Sequence, residues 1–354
     1  MKNILTTLLT IFVATTAFSQ LTFVPDDNFE QALIDLGYDT APLDDFVLTA
    51  NIETVTDLDV SSLGIIDITG IEDFVSLANL SCQSNQLTSL DLTQNINLVS
   101  FIGSQNQLTT VNINNNLQLQ SFICVGNQLT NLDVSQNALL ESIIILDNQI
   151  VDLDLTQNPL LVTLSAPNNL INNIDLSQNT LLQTINLDNN QLTNIDLSQN
   201  QDLLLIFCEN NQLTSADIRN GANENINIEF DYFRMTNNPN LICIFVDDAA
   251  YSTENWSEVD PTSTFVETEA ECAVLAVEDF EESTISVYPN PAKNVLHIKT
   301  PVSFNKVEIY TIQGQKVLEN TSESIDVSIL NAGVYMLVIE VARGDRIVKR
   351  FIKK

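Results

Sequence analysis

A repeat of constant length runs through the middle of this chain. An Asn opens each unit and returns every 21 residues over seven units. Apolar residues follow two and five positions after each Asn, and chance does not hold such a register over six intervals. A fixed period of this size is typical of a solenoid, in which each coil stacks on the preceding one. The opening residues are Asn85, Asn106, Asn127, Asn148, Asn169, Asn190 and Asn211.

The core of such a chain must form between coils. One coil of 21 residues cannot enclose a core alone, so the coils on either side must bury its inward Leu and Ile side chains. Each fully buried aliphatic side chain contributes about 1.5–3 kcal/mol to stability. The repeated Asn fits a bend, because its amide can bond backbone groups that have no partner in a sheet. The sequence therefore predicts a ladder of stacked amides along one corner.

Two segments show the repeat clearly. "LVSFIGSQNQL" (residues 98–108) and "LQTINLDNNQL" (residues 182–192) resemble the leucine-rich repeat, L-x-x-L-x-L-x-x-N-x-L. The resemblance covers residues 55–221. It implies one short strand per unit, a parallel sheet on the concave side, and the "LDLS" run on the opposite side. The inward positions are Leu80, Phe101, Phe122, Ile143, Leu164, Ile185 and Ile206 and, two residues on, Cys82, Gly103, Cys124, Ile145, Ala166, Leu187 and Cys208.

The five cysteines fall into two groups. Cys82, Cys124 and Cys208 point inward, and the first two lie two coils apart, about 10 Å at a strand spacing of about 4.8 Å. That distance exceeds the limit of about 7 Å between the Cα atoms of a disulfide, so we interpret all three as small core residues. Cys243 and Cys272 lie outside the repeats. In an exported protein they are predicted to form a disulfide.

The first residues read as a secretory signal. Residues 1–19 have a short basic start, an apolar run too short and Thr-rich for a secure membrane span, and small residues before Gln20. We predict cleavage there and no membrane span in the mature chain. Residues 20–54 are predicted to form an N-terminal cap with a short helix that Asp26 or Asp27 could cap.

The other end of the solenoid also needs a cap, since an open coil would expose its core. Residues 222–272 break the period and carry the only Trp, so we assign them to a C-terminal cap stapled by the predicted disulfide. Residues 273–286 are acidic and poorly patterned and are predicted to be a linker.

Residues 287–354 change character. They form short alternating runs broken by Pro, Asn and Gly, which indicates a small antiparallel β-sandwich. The runs "VYPNPAKNVLHI", "VEIYTIQGQKV", "LNAGVYML" and "VKRFIKK" resemble the C-terminal sorting domain of type IX secretion substrates. The resemblance implies that the type IX machinery is a partner and that the protein crosses the outer membrane of a Gram-negative bacterium. It also implies removal of this domain, with release or attachment to surface lipopolysaccharide. The predicted fold class is thus mainly β, a leucine-rich-repeat solenoid with two caps followed by a sandwich.

Charge is distributed unevenly along the chain. The formal net charge is −33, and ten of the 13 Lys and Arg residues lie at or after Lys293. Between Lys2 and Lys293 the only basic residues are Arg219 and Arg234. Such a surface repels nucleic acid and anionic membranes. It could attract cations or basic partners, although a solvated acidic surface is the simpler interpretation.

The chain offers little for catalysis. Its only His, His297, lies in the predicted sorting domain, so Ser–His and Cys–His nucleophile systems are not available in the repeats. The repeats contain no imidazole that could ligate zinc, and no pair of carboxylates stands out as a glycosidase site. We expect neither enzymatic activity nor a cofactor.

A row of acidic residues recurs in the "LDLS" runs. Neighbouring carboxylates in such a row would repel one another, and Ca²⁺ could relieve the repulsion with Asp133, Asp154, Asp175 and Asp196 as oxygen ligands. The flanking Thr and Ser hydroxyls could stabilise the same carboxylates without a metal. The second interpretation is preferred, and the metal site is kept as the alternative.

The concave sheet carries the best functional clue. Apolar side chains are expected to face outward there, and an exposed row of Ile and Leu usually has a reason. Either a protein or glycan partner covers them, or neighbouring side chains cover one another and nothing docks. A glycan-binding site would favour exposed aromatic side chains, and this row has only one. We therefore predict a protein-binding or adhesion module, with a glycan-binding or purely structural surface component as the alternative. The candidate binding residues are Ile102, Ile123, Val125, Ile144, Leu146, Asn186, Asp188, Phe207 and Glu209.

Overall fold

The structure is a computed structural model that describes residues 20–226, 232–278, 285–300, 303–341 and 346–354. The predicted signal peptide, residues 1–19, lies outside the described residues. The chain divides into two compact units between Cys272 and Ala273.

The N-terminal cap pairs a small sheet with a helix. Strands β1 (Leu21–Phe23) and β2 (Phe46–Leu48) are antiparallel, and helices α1 (Asp27–Asp35) and α2 (Thr49–Ile52) follow them in the cap. Asp26 caps α1, because its Oδ1 accepts the N–H groups of Asn28 and Phe29. Its Oδ2 accepts the N–H groups of Ile66 and Asp67, which ties the helix to the first coil.

One side chain of this helix differs from the sequence pattern. The pattern places Leu36 on the apolar face of the helix with Phe29 and Leu33. Phe29 and Leu33 are fully buried, whereas Leu36 is 46% exposed. Leu36 is the C-cap residue of the helix, and its side chain lines an open cavity with Leu58 and Leu80 instead of joining the core.

Nine parallel strands form the concave sheet of the solenoid. In every paired strand of the repeats the middle residue points inward, and Phe101, Phe122 and Ile143 stack in register from one coil to the next. All the predicted inward positions are buried, so the inward register is confirmed. The strands are β3 (Asp57–Asp59), β4 (Asn79–Ser81), β6 (Ser100–Ile102), β8 (Ser121–Ile123), β9 (Ser142–Ile144), β10 (Thr163–Ser165), β11 (Thr184–Asn186), β13 (Leu205–Phe207) and β15 (Phe233–Arg234).

Shorter parallel sheets lie on the opposite side of the coils. The first has two strands and the second has four, all formed by the "LDLS" runs and the C-terminal cap. Their strands are β5 (Ser89–Asp91), β7 (Thr110–Asn112), β12 (Asn194–Asp196), β14 (Ser215–Ile218), β16 (Cys243–Val246) and β17 (Thr264–Val266).

The predicted amide ladder is present. The Nδ2 atom of Asn148 donates to the carbonyl oxygens of Cys124, in the preceding coil, and Ile145, in its own coil, at 2.8 and 3.1 Å. Its Oδ1 accepts the N–H of Leu129 at 3.0 Å. The residue before each Asn of the ladder has a positive φ, for example 56° at Asn168, a conformation that Asn, Asp and Gly adopt at least cost. Each coil is therefore bonded to the one before it at its bend.

A second amide ladder was not predicted. It lies ten residues beyond the first, and its members are almost completely buried. Each Nδ2 bridges two backbone carbonyls; that of Asn158 donates to Val134 and Asn137 at 3.0 and 2.9 Å. Among the described residues, the Oδ1 atoms of these six side chains have no hydrogen-bond partner. The members are Asn95, Asn116, Asn137, Asn158, Asn179 and Asn200.

The C-terminal cap closes the solenoid with aromatic packing and a disulfide. The Trp256 ring stacks on Phe233 with centroids 4.2 Å apart and meets Phe265 edge-on. The predicted bond between Cys243 and Cys272 is formed. The cap contains helix α3 (Ala249–Asn255), and helix α4 (Glu269–Glu278) begins in it. Because α4 continues to residue 278, the first part of the segment predicted as a linker is helical.

The other three cysteines behave as predicted. Cys82, Cys124 and Cys208 are free thiols and fully buried in the solenoid core. Burial raises the pKa of Cys82 to about 12 and also raises the pKa values of the other two thiols. They fill space in the stack as small apolar residues.

The second unit consists of two antiparallel sheets around a core of its own. One sheet has the order β18-β19-β22 and the other β21-β20-β23-β24. Leu296, Ile309, Leu337 and Phe351 are fully buried between them. This agrees with the predicted antiparallel sandwich. The strands are β18 (Ser286–Tyr288), β19 (Val295–Lys299), β20 (Phe304–Thr311), β21 (Lys316–Asn320), β22 (Ser324–Asp326), β23 (Gly333–Val341) and β24 (Arg346–Lys353).

Candidate functional site

The concave sheet presents three parallel rows of side chains. Alternate residues of a strand point to opposite faces. The middle residue of each strand points inward, so the first and third residues point outward. The residue two positions after the third residue also points outward. We call these three rows together the concave face. The rows begin in the first coil at Asp57, Asp59 and Ser61 and end at Tyr232, Arg234 and Thr236.

An apolar patch occupies the centre of the concave face. Ile102, Ile123 and Ile144 are direct neighbours on adjacent strands, about 4.8 Å apart, and all three are half-buried. Beside them lie the half-buried Val125 and Leu146. The five predicted apolar residues of the middle coils are thus brought together. Pro167 was not predicted, although it takes the same position as Val125 and Leu146 in the next coil. The apolar patch is Ile102, Ile123, Val125, Ile144, Leu146 and Pro167.

A row of hydroxyl groups runs beside the apolar patch. It is formed by the first residue of each central strand, and these residues are half-buried. Their repetition places one donor and acceptor per coil next to the isoleucines. The hydroxyl row is Ser100, Ser121, Ser142, Thr163 and Thr184.

The C-terminal end of the concave face is charged. Asp188 accepts the N–H of Glu209 at 2.7 Å, and a carboxylate oxygen of Glu209 accepts the hydroxyl of Thr236 at 2.5 Å. Burial raises the pKa of Asp188 to about 6; the backbone hydrogen bond from Glu209 opposes this shift, the charge of Glu209 adds to it, and Arg234 opposes it.

Phe207 has a different environment from the one expected. The sequence pattern placed it in the outward apolar row, but the guanidinium of Arg234 lies over its ring, 4.6 Å from the centroid. Phe207 and the polar Asn186 therefore belong to the charged end rather than to the apolar patch. Arg234 was not among the predicted binding residues, because its coil is longer than 21 residues and leaves the register. The run "FRMTNN" nevertheless matches the strand and bend of the other coils.

The N-terminal end of the concave face holds a cavity of about 350 Å³. Asp57, Asp59 and Asn79 contribute polar groups, and Leu36 and Ile102 contribute apolar walls. Hydrogen bonds from Thr56 and Asn79 hold the pKa of Asp57 below its usual value. Asp59 accepts the N–H of Ser61 at 3.0 Å. We call this cavity the N-terminal pocket. It was not predicted, because its strand precedes the first unit opened by a repeated Asn.

The acidic row lies on the opposite side of the coils, and its carboxylates are engaged locally. Asp154 accepts both the backbone N–H and the hydroxyl of Thr156, at 2.9 and 2.7 Å. Equivalent side-chain hydrogen bonds from Ser135 and Ser177 lower the pKa values of Asp133 and Asp175. These contacts agree with the preferred interpretation. Ca²⁺ binding by Asp133, Asp154, Asp175 and Asp196 stays a prediction.

One group of three carboxylates could hold a cation among the residues that the structure describes. It lies in the N-terminal cap and comprises Asp27, Glu30 and Asp45. The fully buried Glu30 already accepts two backbone N–H groups, those of Asp44 and Asp45. This group is therefore explained by the fold of the cap.

Comparison with known proteins identifies the second unit. Residues 286–354 match the family described as "Secretion system C-terminal sorting domain". A comparison with curated proteins gives no match. The described residues contain no helix that is both long and apolar enough to span a bilayer.

The solved structures of two Listeria monocytogenes proteins are similar to the chain. The functional domain of InlJ, whose description includes a cysteine ladder, is 20% identical, with 95% of this chain and 99% of that chain covered and a TM-score of 0.38. Internalin C2 is 23% identical, and the match covers 63% of this chain and 99% of that chain with a TM-score of 0.46. No function of this chain follows from them. By its repeats and strand arrangement the first unit is a leucine-rich-repeat solenoid, and it occurs in one chain with a secretion sorting domain.

Proposed function

We propose that the chain is an exported, non-enzymatic binding protein that holds a protein partner on its concave face. The apolar patch is the observation that carries this proposal. It is continuous over neighbouring coils, it faces outward from a rigid sheet, and charged residues flank it at both ends. Protein interfaces commonly have such an arrangement, with an apolar centre inside a polar rim.

The sorting domain supports a location outside the cell. We propose that the type IX machinery exports the protein in a Gram-negative bacterium, with loss of residues 1–19 and of the domain after about residue 286. The repeat unit would then act as a secreted or surface-attached adhesion module. The distribution of charge supports this division, because nearly all basic residues belong to the segment that is removed.

Capture of surface proteins tests the binding role. The purified full chain is cross-linked to surface extracts of the native bacterium, and the Ile144→Asp/Leu146→Asp variant is treated in parallel. We expect one captured protein to be lost from this variant at an unchanged melting temperature, because two charges replace the centre of the apolar patch.

Ile96→Asp/Leu117→Asp provides the matched control. Both residues are more than half exposed and lie outside the concave face, at 56% and 53%, so the control adds the same charge elsewhere. An identical set of captured proteins for both variants would contradict a binding role for the patch. Binding to a glycan array that survives removal of the patch would favour the glycan alternative.

A further inference from the structure

Carboxylates outnumber cations at both ends of the concave face, and Arg234 is the one guanidinium among them at the C-terminal end. Asp57 and Asp59 line the N-terminal pocket, and Asp188 and Glu209 lie at the other end. Arg219, the other basic residue of the repeat unit, lies outside the concave face. Carboxylate oxygens of Asp217 and Glu269 lie 2.5 and 2.9 Å from its guanidinium nitrogen. An acidic partner would be repelled from this face, whereas a basic one would be attracted and oriented.

Building on the proposed function, we infer that the partner contributes an extended basic–apolar–basic segment that crosses the strands of the concave face. One cationic side chain enters the N-terminal pocket, apolar side chains cover the apolar patch, and a second cationic side chain meets Asp188 and Glu209. The inference concerns the chemistry of the partner and adds to the proposal that a partner exists.

The N-terminal pocket suits a long basic side chain. Leu36 and Ile102 form apolar walls against which the methylene groups of a Lys or Arg can pack. Asp59 accepts one hydrogen bond, from Ser61, and a carboxylate has room for several acceptor contacts. A Lys or Arg thus finds an apolar surface for its stem and a carboxylate for its head.

The hydroxyl row favours an extended segment over a helix. The backbone N–H and C=O groups of an extended segment are open and need partners. Ser121, Ser142 and Thr163 offer one hydroxyl per coil immediately beside the isoleucines. A helix satisfies these groups internally and would leave the hydroxyl row without a role.

The spacing of the two charged ends fixes the length of the segment. From β3 to β11 there are six steps in the sheet, or about 29 Å at a strand spacing of about 4.8 Å. An extended chain covers this distance in about nine residues. The apolar patch begins at the second step, so the apolar side chains belong near the middle of the segment.

Two synthetic peptides of identical composition test the inference. Both contain Leu, Val and Ser residues and two lysines. In the spaced peptide the lysines are about nine residues apart, and in the clustered peptide they are adjacent at one end. We expect the full chain to bind the spaced peptide about fivefold more tightly at low salt, measured by fluorescence anisotropy.

Protein variants separate a specific site from general attraction. Asp57→Asn/Asp59→Asn should abolish the preference for the spaced peptide. Asp154→Asn/Asp175→Asn should preserve it, because this control removes the same charge from the opposite side and keeps an oxygen for each local N–H. Ile144→Ser/Leu146→Ser, which removes apolar surface without adding charge, should weaken the binding of both peptides.

Four outcomes would overturn the inference. Equal binding of both peptides would show attraction to net charge alone, and a preference that survives Asp57→Asn/Asp59→Asn would exclude the N-terminal pocket. Circular dichroism that shows a helical bound peptide would exclude the extended form. Binding of neither peptide would also overturn it, while the capture experiment with native surface proteins would still decide separately whether the proposed function holds.

Discussion

Neighbouring residues of one coil face opposite sides in this solenoid. Ile145 is fully buried in the stack, whereas Ile144 points out of the concave sheet and is half-buried. In the repeats the same alternation separates the core from the concave face in every coil, because a strand cannot present one residue to the core without presenting the next to the opposite side.

This contrast gives a prediction for two substitutions. Ile145→Asp should lower the free energy of unfolding by several kcal/mol, since it places an unpaired charge among stacked aliphatic side chains. Ile144→Asp should change it by less than about 1 kcal/mol. Urea denaturation of both variants measures the difference. If Ile144→Asp proved as destabilising as Ile145→Asp, the outward row would be buried structure and the binding face would lose its main support.

Asp188 should make the stability of the repeat unit depend on pH. Its folded-state pKa of about 6 lies above the usual value of 3.8, so its contribution to stability is fully present below about pH 3.8 and is lost as the pH rises through about 6. Asp188→Asn keeps an oxygen for the N–H of Glu209 and removes the charge. We expect it to raise the free energy of unfolding near pH 7 by about 1–2 kcal/mol, because water still reaches and screens the carboxylate.

The pH dependence has a built-in control. Asp154 is exposed and its pKa is lowered by its hydrogen bonds with Thr156, so its contribution has the opposite sign and is lost as the pH falls. Denaturation of both Asn variants between about pH 4 and pH 7 distinguishes them, because Asp188 titrates within this range whereas Asp154 stays charged throughout it. If the wild-type protein gained no stability relative to Asp188→Asn as the pH falls, the raised pKa of Asp188 would be contradicted.

At the scale of the elements, the amide ladders join one coil to the next. Asn148→Ala would leave the N–H of Leu129 and the carbonyls of Cys124 and Ile145 without their side-chain partner. Buried groups that lose a partner cost more than the net value of the bond they made. We expect a loss of about 2–4 kcal/mol in urea denaturation. Gln149→Ala, an exposed change at the next residue, should have little effect, and equal losses for the two would contradict the ladder.

Much of the solenoid could be predicted because its rules repeat. The inward residues, the first amide ladder and the pairing of Cys243 with Cys272 follow from period, apolarity and compartment. The second ladder was missed because an Asn in the polar run "SQN" looks like any other solvated residue until the stacking of coils buries it. The charged end was only partly foreseen, since the longer last coil moves Arg234 out of register. The N-terminal pocket depends on where Leu36 lies after its helix ends, which no periodicity encodes.

At the scale of the molecule, most acidic residues lie in the repeat unit and most basic residues lie in the second unit. Residues 286–354 match a sorting domain, and ten of the 13 basic residues lie at or after Lys293. Residues 20–286 carry 40 acidic residues against two basic ones. A surface of such charge repels acidic molecules and attracts basic ones.

Processing should therefore change both the mass and the charge of the protein. We predict that protein recovered from the native cell surface begins at Gln20 and lacks the segment after about residue 286. Because this removes nearly every Lys and Arg, the mature form should also focus at a lower pH than the full chain. Intact-mass and peptide mass spectrometry of surface protein decides the matter, with the recombinant full chain as the reference. If most surface molecules still carried the terminal "VKRFIKK", the basic strands would belong to the working protein, and the repeat unit would function beside a cationic neighbour rather than as a uniformly acidic binding surface.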